Sequence, residues 1–456
     1  MNRRQWLRGA AAVAAGLLRP VRIGRFDPVL DAQAPGIVRW MWSGAVTSSS
    51  ATVVARVLAG SGSVRLRVRP VAGGAGTLVE PRLIPEWHIA RFDIVGLRPA
   101  TTYIYDILLD GVAWATTGRF RTMNDGPHDA VVLFGSCAST GSNARVWETM
   151  GAVGADLLIH MGDFHYEDIA RNEPALFHQA YDRCLMSPRQ SACYRGTPVA
   201  YVWDDHDFGG DDSDRHSSSA PAAHAAYRAC VPHYPLGAGS EGPLHQAFDL
   251  GRVRVIVTDS RSARERPEES SSPSMLGAAQ REWLLAQLED ASRRAPLVVW
   301  ANPVPWITKA DESTREGWAP YADERALIAA HIERLGLTGR LLMISGDAHM
   351  AAIDDGTNSQ YAPGPTGRGF VVAHAAAFDR FRRRKGGPYS LGARAGRGQF
   401  GELRIEDSGD RLVATVRCRD RRGRQIDRLA IRLTIEDGAT SLSYPAVEEP
   451  ASQGAA

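Results

Sequence analysis

The stretch YVWDDHDFGGDDSD, residues 201–214, joins an apolar run to a cluster of acidic side chains. Residues 201–203 are aromatic or β-branched, which favours a buried β-strand, and ionisable residues 204–207 follow directly. Carboxylates this close repel one another and have shifted pKa values unless a cation neutralises them. The stretch therefore predicts a β-strand that ends at a metal site.

Four other apolar runs end in residues that can bind a metal or a substrate. In chain order, the residues at the five strand ends are Cys137, Asp163, residues 204–207, Asn302, and Asp347 with His349. Taken alone, a Gly-Asp pair is usually a turn, and a cysteine after a strand is usually a small core residue. In α/β sheets, however, ligands bind in the crevice beyond the carboxyl ends of the strands. Because all five strand ends carry residues of this kind, we predict that they form one site.

Residues 129–436 alternate apolar runs with helical patterns. Two predicted helices, residues 278–291 and 322–336, repeat apolar residues at helical spacing. This alternation predicts an α/β layered domain, which a last pair of strands within residues 401–436 would complete. The tail at residues 437–456 is rich in Ser, Ala, Glu and Pro, and we expect it to be disordered.

Residues 35–123 have a different pattern, with short strands separated by Ser, Gly and Pro turns. Regular spacing of short strands predicts an all-β sandwich domain. The segment GLRPATTYIYDI, residues 96–107, resembles the tyrosine corner of fibronectin III-like modules, in which a Tyr hydroxyl ties a loop back to the backbone. Tyr103 or Tyr105 is expected to take this structural role.

The first 34 residues have the layout of an export signal and leader. NRRQWLRGAAAVAAGLL, residues 2–18, places Arg3 and Arg4 before an apolar run that is too short to span a bilayer. The paired arginines followed by Trp6 and Leu7 resemble a twin-arginine signal, whose route carries folded proteins. The resemblance implies the twin-arginine export machinery as a partner, a periplasmic or extracellular location, and no transmembrane segment in the mature protein.

The overall charge does not indicate a nucleic-acid-binding protein, and the cysteine content does not indicate a disulfide framework. The chain has 53 basic and 51 acidic residues and a formal net charge of +2, so no nucleic-acid-specific binding is predicted. Five cysteines are too few for a disulfide framework, and an odd number leaves at least one without an intramolecular partner.

The spacing within GDFHY, residues 162–166, indicates which metal the site suits. Asp163 and Tyr166 are three residues apart, so a turn that leaves a strand can present a carboxylate and a phenolate to one ion. A phenolate is a hard, anionic ligand that suits Fe(III), whereas carboxylate and amide oxygens suit Ca(II), Mg or Mn. The residues therefore predict a mixed-metal site.

Six short motifs resemble one known family. They are GSC (residues 135–137), GDFHY (162–166), WDDHDF (203–208), NPVP (302–305), GWAPYADER (317–325) and SGDAH (345–349). In this order they look like the PhoD-type alkaline phosphatase and phosphodiesterase family of the calcineurin-like metallophosphoesterase superfamily. The resemblance spans roughly residues 36–435. It implies a metallophosphoesterase fold with two packed β-sheets flanked by helices, preceded by the β-sandwich.

The resemblance also implies a set of metal ligands. Asp163 would bridge two metals, and Cys137, Tyr166 and His349 would complete the shell of an Fe(III). The second ion, which is Ca(II) or alternatively Mg or Mn, would be bound by Asp205 and Asp347. These two carboxylates stand where the superfamily usually has an Asn and a His, and carboxylates argue against zinc at that position.

The same resemblance implies catalytic and substrate-binding roles. Asp205 and His206 would be catalytic, with His206 facing the substrate as general acid to the leaving oxygen, and Asn302 would contact the phosphate or the second metal. The chain departs from the family at His165, for which we expect a solvated or supporting position. It also departs at Asp211, Asp212 and Asp214, for which we expect a solvated loop, with a third metal as the alternative.

The sequence therefore predicts an exported hydrolase of phosphate esters that acts on monoesters, diesters or both through a metal-bridging hydroxide. One alternative is a phosphodiesterase specific for lipid or wall polymers. An alternative of another class is a secreted binding protein with an inactive metallophosphoesterase fold. Residues 378–398, rich in Arg and Gly, either line the mouth of the site and attract anionic substrates or form an exposed loop.

Overall fold

Two β-sheets that face one another across an apolar core carry most of the secondary structure. The computed structural model describes residues 37–58, 62–239, 242–308, 316–364, 367–380 and 385–448. The strands are β1 (Ile37–Gly44), β2 (Ser50–Leu58), β3 (Val64–Pro70), β4 (Thr77–Val79), β5 (Arg82–Ile84), β6 (Ile89–Val95), β7 (Thr102–Leu109), β8 (Val112–Ala113), β9 (Gly118–Arg121), β10 (Ala130–Gly135), β11 (Leu157–Met161), β12 (Val199–Val202), β13 (Gln246–Leu250), β14 (Val253–Val257), β15 (Leu297–Asn302), β16 (Leu341–Ser345), β17 (Met350–Asp354), β18 (Val371–Ala375), β19 (Ala393–Ala395), β20 (Gln399–Asp407), β21 (Arg411–Asp420), β22 (Gln425–Glu436) and β23 (Ala439–Ser443). The α-helices are α1 (Arg145–Val153), α2 (Pro174–Met186), α3 (Pro188–Gly196), α4 (Asp205–Phe208), α5 (Ala220–Cys230), α6 (Gly277–Arg294) and α7 (Ala322–Arg334).

The described strands form three sheets. The largest has eleven strands in the order β23-β22-β21-β20-β10-β11-β12-β1-β2-β6-β5. The second has seven strands in the order β13-β14-β15-β16-β18-β17-β19. The third has the order β4-β3-β7-β8, with β9 paired to β7. Strands β10, β11 and β12 run parallel in the first sheet, as do β14, β15, β16 and β18 in the second.

Strand β11 shows why the central strands are apolar throughout. Leu157, Ile159 and Met161 pack in the core between the two larger sheets, together with residues of β15 such as Val299. Leu158 points to the opposite face and packs with α1, α2, α3 and α5. A parallel strand that is covered on both faces has no side exposed to water, which is why its sequence does not alternate with polar residues.

Helices α6 and α7 cover the outer face of the seven-stranded sheet. Leu284 and Leu288 of α6 and Ile328 and Ile332 of α7 pack with Trp300 of β15 in a third core. The order of layers is helix, sheet, sheet, helix, and the predicted α/β fold with two packed sheets flanked by helices is confirmed.

The N-terminal strands form a sandwich that shares a sheet with the rest of the chain. Strands β1, β2, β6 and β5 extend the eleven-stranded sheet, and the third sheet packs against them. The tyrosine corner is present, because the Tyr103 hydroxyl accepts a hydrogen bond of 2.9 Å from the Arg98 N–H. Since one sheet runs through both regions, the domain boundary at residues 123–129 stays a prediction. The export signal at residues 1–34 lies outside the described residues.

The C-terminal tail departs from the prediction. Residues 437–456 were expected to be disordered, but Ala439–Ser443 form β23, which pairs antiparallel with β22. Two features stabilise β23: Leu442 packs against the sheet core, and the backbone of β22 offers a free edge. The prediction is therefore wrong for these five residues, and residues 449–456 lie outside the described part of the chain.

Cysteines and apolar helices add two observations on the described residues. All five cysteines are buried and none is in a disulfide, so each is a free thiol. Burial raises the pKa of each of these thiols, Cys137 included, and the reactive thiolate is disfavoured. In the same part of the chain, no helix has both the length and the apolar character needed to cross a membrane.

Candidate metal centre and active site

The predicted site residues follow strands whose carboxyl ends meet. Gly135 of β10 pairs with His160 of β11, and Met161 of β11 pairs with Val202 of β12, so three parallel strands end side by side. In the facing sheet, β15 and β16 are parallel neighbours in the same way. The loops after these strands therefore converge on one crevice, which is where α/β sheets bind ligands.

The four residues predicted to bind Fe(III) come together. Donor atoms of Cys137, Asp163 and His349 all lie within 4.8 Å of one another. The Tyr166 hydroxyl donates a 2.5 Å hydrogen bond to Asp163 Oδ2 and lies 3.2 Å from His349 Nε2. A thiol, a carboxylate, a phenol and an imidazole thus surround one point.

Asp163 also belongs to a second group of donors. Its carboxylate, together with donor atoms of Asp205 and His206, forms a set whose atoms lie within 4.8 Å of one another. Asp347 reaches the centre from the other sheet, since the Cys137 thiol donates to its carbonyl at 3.8 Å. The Asp347 N–H in turn donates to Ser136 Oγ at 2.9 Å. Asp163 is common to both groups, which is the arrangement expected of a ligand that two ions would share.

The backbone at four of these residues lies in the left-handed region. The φ angles are 64° at Cys137, 53° at Asp163, 65° at Asp347 and 48° at His349. Non-glycine residues adopt this conformation at a cost of roughly 1–3 kcal/mol each, and such residues cluster at functional sites. The strained turns bring the four predicted ligand side chains together from two different sheets.

The residues present fit metal ions. Asp163 Oδ1 and Asp347 Oδ2 are buried and have no hydrogen-bond partner among the described residues. Burial, followed by the nearby carboxylates of Asp205 and Asp204, raises the pKa of Asp163 well above its usual value. Burial and the same Asp163 carboxylate also raise the pKa of the Tyr166 phenol. Buried anionic ligands of this kind are stable only beside cations, which bring such pKa values down.

His206 lies beside the two donor groups and between two carboxylates. Its Nδ1 is 2.5 Å from Asp168 Oδ1, and its Nε2 is 3.5 Å from Asp211 Oδ1. Burial alone would lower the pKa of His206, but the carboxylates of Asp205 and Asp168 outweigh it and raise the pKa. The imidazole is therefore favoured in its protonated form, the form that can donate a proton to a leaving group.

Comparison with known proteins agrees with this geometry. The family model described as PhoD-like phosphatase matches residues 132–377, which is more than half of the chain. This protein belongs to the PhoD-like phosphatase family. Family membership, the fold and the candidate metal groups make it a metal-dependent phosphoester hydrolase. The comparison with curated proteins returned no match.

Two solved structures share the fold of this PhoD-like phosphatase at low sequence identity. A structure of PhoD has 16% identity and a TM-score of 0.69, covering 91% of this chain and 93% of its own. Purple acid phosphatase PPD1 from yellow lupin (Lupinus luteus) seeds has 13% identity and a TM-score of 0.62, covering 88% of this chain and 74% of its own. Both likenesses concern the fold, which is the predicted metallophosphoesterase fold.

Two further predictions concern His165 and Asn302. Of the two positions expected for His165, solvated or supporting, the structure shows the supporting one, since the side chain is buried and burial lowers its pKa to about 3. Its backbone N–H donates to Asp207 Oδ1 at 3.0 Å, so it supports the acidic loop from inside. Asn302 is also buried, and its amide donates to the Val304 carbonyl at 2.5 Å. Its predicted contact with a phosphate or a metal stays a prediction.

The acidic loop of this PhoD-like phosphatase is not uniformly solvated. Asp211 and Asp212 are exposed, as expected, but the Asp212 N–H donates to Asp205 Oδ2 at 2.7 Å. Asp214 is buried and accepts a 2.6 Å hydrogen bond from Arg266 Nε, so the expectation of a solvated residue is wrong there. Asp212 and Asp214 therefore help to hold the loop in place through these hydrogen bonds.

Several residues that contact the site were not predicted individually. Lys385 Nζ lies 3.0 Å from Asp347 Oδ1 and forms an ion pair with Glu316. The Arg380 guanidinium lies 3.9 Å from the centre of the Tyr166 ring. Both cations belong to the Arg-rich segment 378–398, whose described part near Asp347 and Tyr166 therefore lines the site. Only the charge of that segment signalled this role in the sequence.

Arg261 is a further residue that sequence reasoning missed. Its side chain is fully buried, its Nε donates to Asp204 Oδ1, and its Nη2 lies 3.7 Å from Asp205 Oδ1. Asp204 in turn is the N-cap of α4, where its side chain and that of Asp207 form a capping box. The buried guanidinium thus holds the start of the acidic loop.

Replacing Arg261 by Leu is expected to lower the free energy of unfolding by roughly 3–5 kcal/mol, because it leaves a buried carboxylate without its partner. Urea unfolding would measure the change. The matched control is Arg215→Leu, which breaks surface pairs with Glu265 and Glu269 and is expected to cost at most about 1 kcal/mol. Equal losses in the two variants would contradict a structural role of the buried pair.

Proposed function

We propose that this protein is an exported hydrolase of phosphate monoesters and diesters that works with a mixed Fe(III) and Ca(II) centre. The observation that carries the proposal is the position of Asp163 in both donor groups. Cys137, Tyr166 and His349 would complete the Fe(III) shell, since thiolate, phenolate and imidazole suit a transition metal. Asp205 and Asp347 would hold Ca(II), or alternatively Mg or Mn, through oxygen ligands.

When bound, two such ions would lower the pKa of a water and would offset the negative charge of the phosphate oxygens. The chain's own residues supply the rest. His206 holds a proton between Asp168 and Asp211 and would donate it to the leaving oxygen. Arg380 brings positive charge beside Tyr166, which attracts an anionic ester, whereas Lys385 is paired with Asp347 and Glu316. No serine nucleophile is required.

The presence of iron is tested through Tyr166. A tyrosinate bound to Fe(III) absorbs visible light, so the purified native protein is expected to be coloured and Tyr166→Phe to lose the band. Metal analysis is expected to give iron and calcium in near-stoichiometric amounts. Tyr181→Phe, which replaces another buried tyrosine, is the matched control and is expected to keep the band.

The proposed activity is tested in the same preparation with p-nitrophenyl phosphate and bis-p-nitrophenyl phosphate. Turnover of both supports an enzyme with monoesterase and diesterase activity, and their ratio ranks the two classes. Colourless, metal-free protein that stays inactive after addition of iron and calcium would overturn the proposal. It would favour the predicted alternative of a secreted binding protein.

Export is proposed on the sequence alone, because Arg3 and Arg4 lie outside the described residues. Replacing both arginines by Lys is expected to keep the protein in the cytoplasm of the producing bacterium, since the twin-arginine route depends on the pair. Cell fractionation and immunoblotting would measure the distribution. Arg8→Lys, a change in the same segment outside the pair, serves as control. Unchanged secretion of the double variant would contradict this route.

A further inference from the structure

A buried histidine that has no part in the proposed mechanism lies behind the loop of Asp347 and His349. His374 is on β18, where it pairs with Ser345, the last residue of the parallel strand β16. Its side chain is fully buried. His374 therefore lies at the point where β16 ends and the loop that carries two predicted metal ligands begins.

Both ring nitrogens of His374 have hydrogen-bond partners at this point. Nε2 lies 3.3 Å from the Ala348 backbone nitrogen, and Nδ1 lies 2.8 Å from Ser345 Oγ. A backbone N–H can only donate, so Nε2 is the acceptor, and the proton of the neutral ring is on Nδ1, which donates to Ser345. Burial lowers the pKa of His374 to about 3, which keeps the ring neutral.

The loop backbone is tied to both large sheets. The Ala348 N–H is shared between His374 Nε2 and the Gly346 carbonyl, which it reaches at 2.8 Å, so one group closes the turn and joins it to β18. On the other side, the Asp347 N–H donates to Ser136 Oγ at 2.9 Å, directly after β10. The loop is thus held from the seven-stranded sheet by His374 and from the eleven-stranded sheet by Ser136.

The loop depends on such contacts because its backbone is strained. Asp347 and His349 have φ angles of 65° and 48°, in the left-handed region. Non-glycine residues persist there only where the surrounding structure holds them. Ala348 lies between the two, so any displacement of its backbone moves both neighbours. Since His349 is a proposed ligand of iron and Asp347 of the second ion, one contact at Ala348 affects both ion sites.

We propose that His374 is a positioning residue of the metal centre, which holds Asp347 and His349 in place by accepting the hydrogen bond of the Ala348 N–H. This inference rests on the proposed function. His374 is not itself a ligand, because both of its ring nitrogens are used by Ser345 and Ala348 and the donor groups formed by the described residues do not include it. It acts on the ions only through the backbone of the loop.

Two substitutions of His374 separate its two hydrogen bonds. The amide of Asn reaches the position of Nδ1, so H374N keeps a donor towards Ser345 and loses the acceptor for Ala348. The amide of Gln reaches the position of Nε2, so H374Q keeps that acceptor. We expect H374N to bind Ca(II) and iron about 10- to 100-fold more weakly than the native protein, the range found for partners behind metal ligands, and H374Q to stay within about threefold of it.

Ion binding is measured directly, apart from turnover. Bound Ca(II) is determined by metal analysis after dialysis against buffers of set free Ca(II) concentration, and bound iron by the visible band at set concentrations of a chelator. H128N is the control, because His128 is also buried but precedes β10, at the end of that strand away from Cys137. It is expected to keep native ion binding. Native binding in H374N, or an equal loss in H374N and H374Q, would overturn the inference.

Should H374N fail to fold, S345A decides. Without the Ser345 hydroxyl the buried Nδ1–H has no acceptor, so the ring proton is expected to move to Nε2, which then cannot accept from Ala348. Ion binding about tenfold or more weaker in S345A supports the inference, and native binding overturns it. Native protein that binds neither ion and does not hydrolyse p-nitrophenyl phosphate overturns the proposed function and this inference together. Native protein that does both, beside an H374N or S345A variant with unchanged ion binding, overturns the inference alone.

Discussion

Replacing Asp163 by Asn is expected to reduce turnover of p-nitrophenyl phosphate by more than about 1,000-fold, beyond the loss typical of one stabilising donor. The reason is that Asp163 belongs to both donor groups, so its loss weakens two ion sites at once. An amide of the same size also removes a negative charge from a site that needs anionic ligands. Metal analysis of the purified variant is expected to show less of both ions.

The control for this variant is Asp106→Asn. Asp106 is equally buried but lies on β7 in the third sheet, where it pairs with Arg67 at 2.7 Å. It is expected to lower the free energy of unfolding while metal content and turnover remain. Full metal content and turnover in Asp163→Asn would show that the shared carboxylate is not a ligand, and would remove the main support for a two-ion centre.

Replacing His206 by Asn is expected to lower turnover by roughly 100- to 10,000-fold, the range of general acid catalysis. Asn is close in shape to the imidazole and can keep the hydrogen bond to Asp168, but it cannot donate a proton to a leaving oxygen. The loss is expected to depend on the substrate. It should be larger with phenyl phosphate than with p-nitrophenyl phosphate, because p-nitrophenolate leaves readily without protonation.

The ratio of the loss on phenyl phosphate to the loss on p-nitrophenyl phosphate distinguishes proton donation by His206 from phosphate binding. An equal loss on both substrates would contradict the general-acid role and would mean that His206 binds the phosphate instead. His331→Asn is the control, since His331 lies on α7 and its ring contacts the Leu285 carbonyl. That variant is expected to keep the turnover of both substrates.

Much of the site could be predicted because it follows the ends of parallel strands. Cys137, Asp163 and Asp205 each come directly after an apolar run, and neighbouring parallel strands must end together. The same logic placed Asn302 at the crevice, yet its amide is satisfied by Val304 within its own turn. Position at a strand end was therefore predictable, whereas the direction of a side chain depends on local hydrogen bonds.

The residues that were missed lie in long connections. Arg261, Glu316 and Lys385 approach the site from three separate loops, and nothing in their spacing indicates which carboxylate each contacts. Charge alone does not distinguish a buried guanidinium from an exposed one. The strand β23 was missed for a similar reason, since its composition is that of a tail and its pairing depends on the free edge of β22.

In the eleven-stranded sheet, some neighbouring strands lie far apart in the amino-acid sequence. Gly44 of β1 pairs with Val199 of β12, and Ala130 of β10 pairs with Ile405 of β20. Pairings between residues so far apart in the chain form slowly and only after both have left the ribosome. Strand β10, which Cys137 follows, is therefore flanked on both sides only after β20 (Gln399–Asp407) has been made, when most of the chain is complete. Binding of the proposed ions would have to follow synthesis of β20, and an export route that accepts folded proteins would allow it to precede secretion.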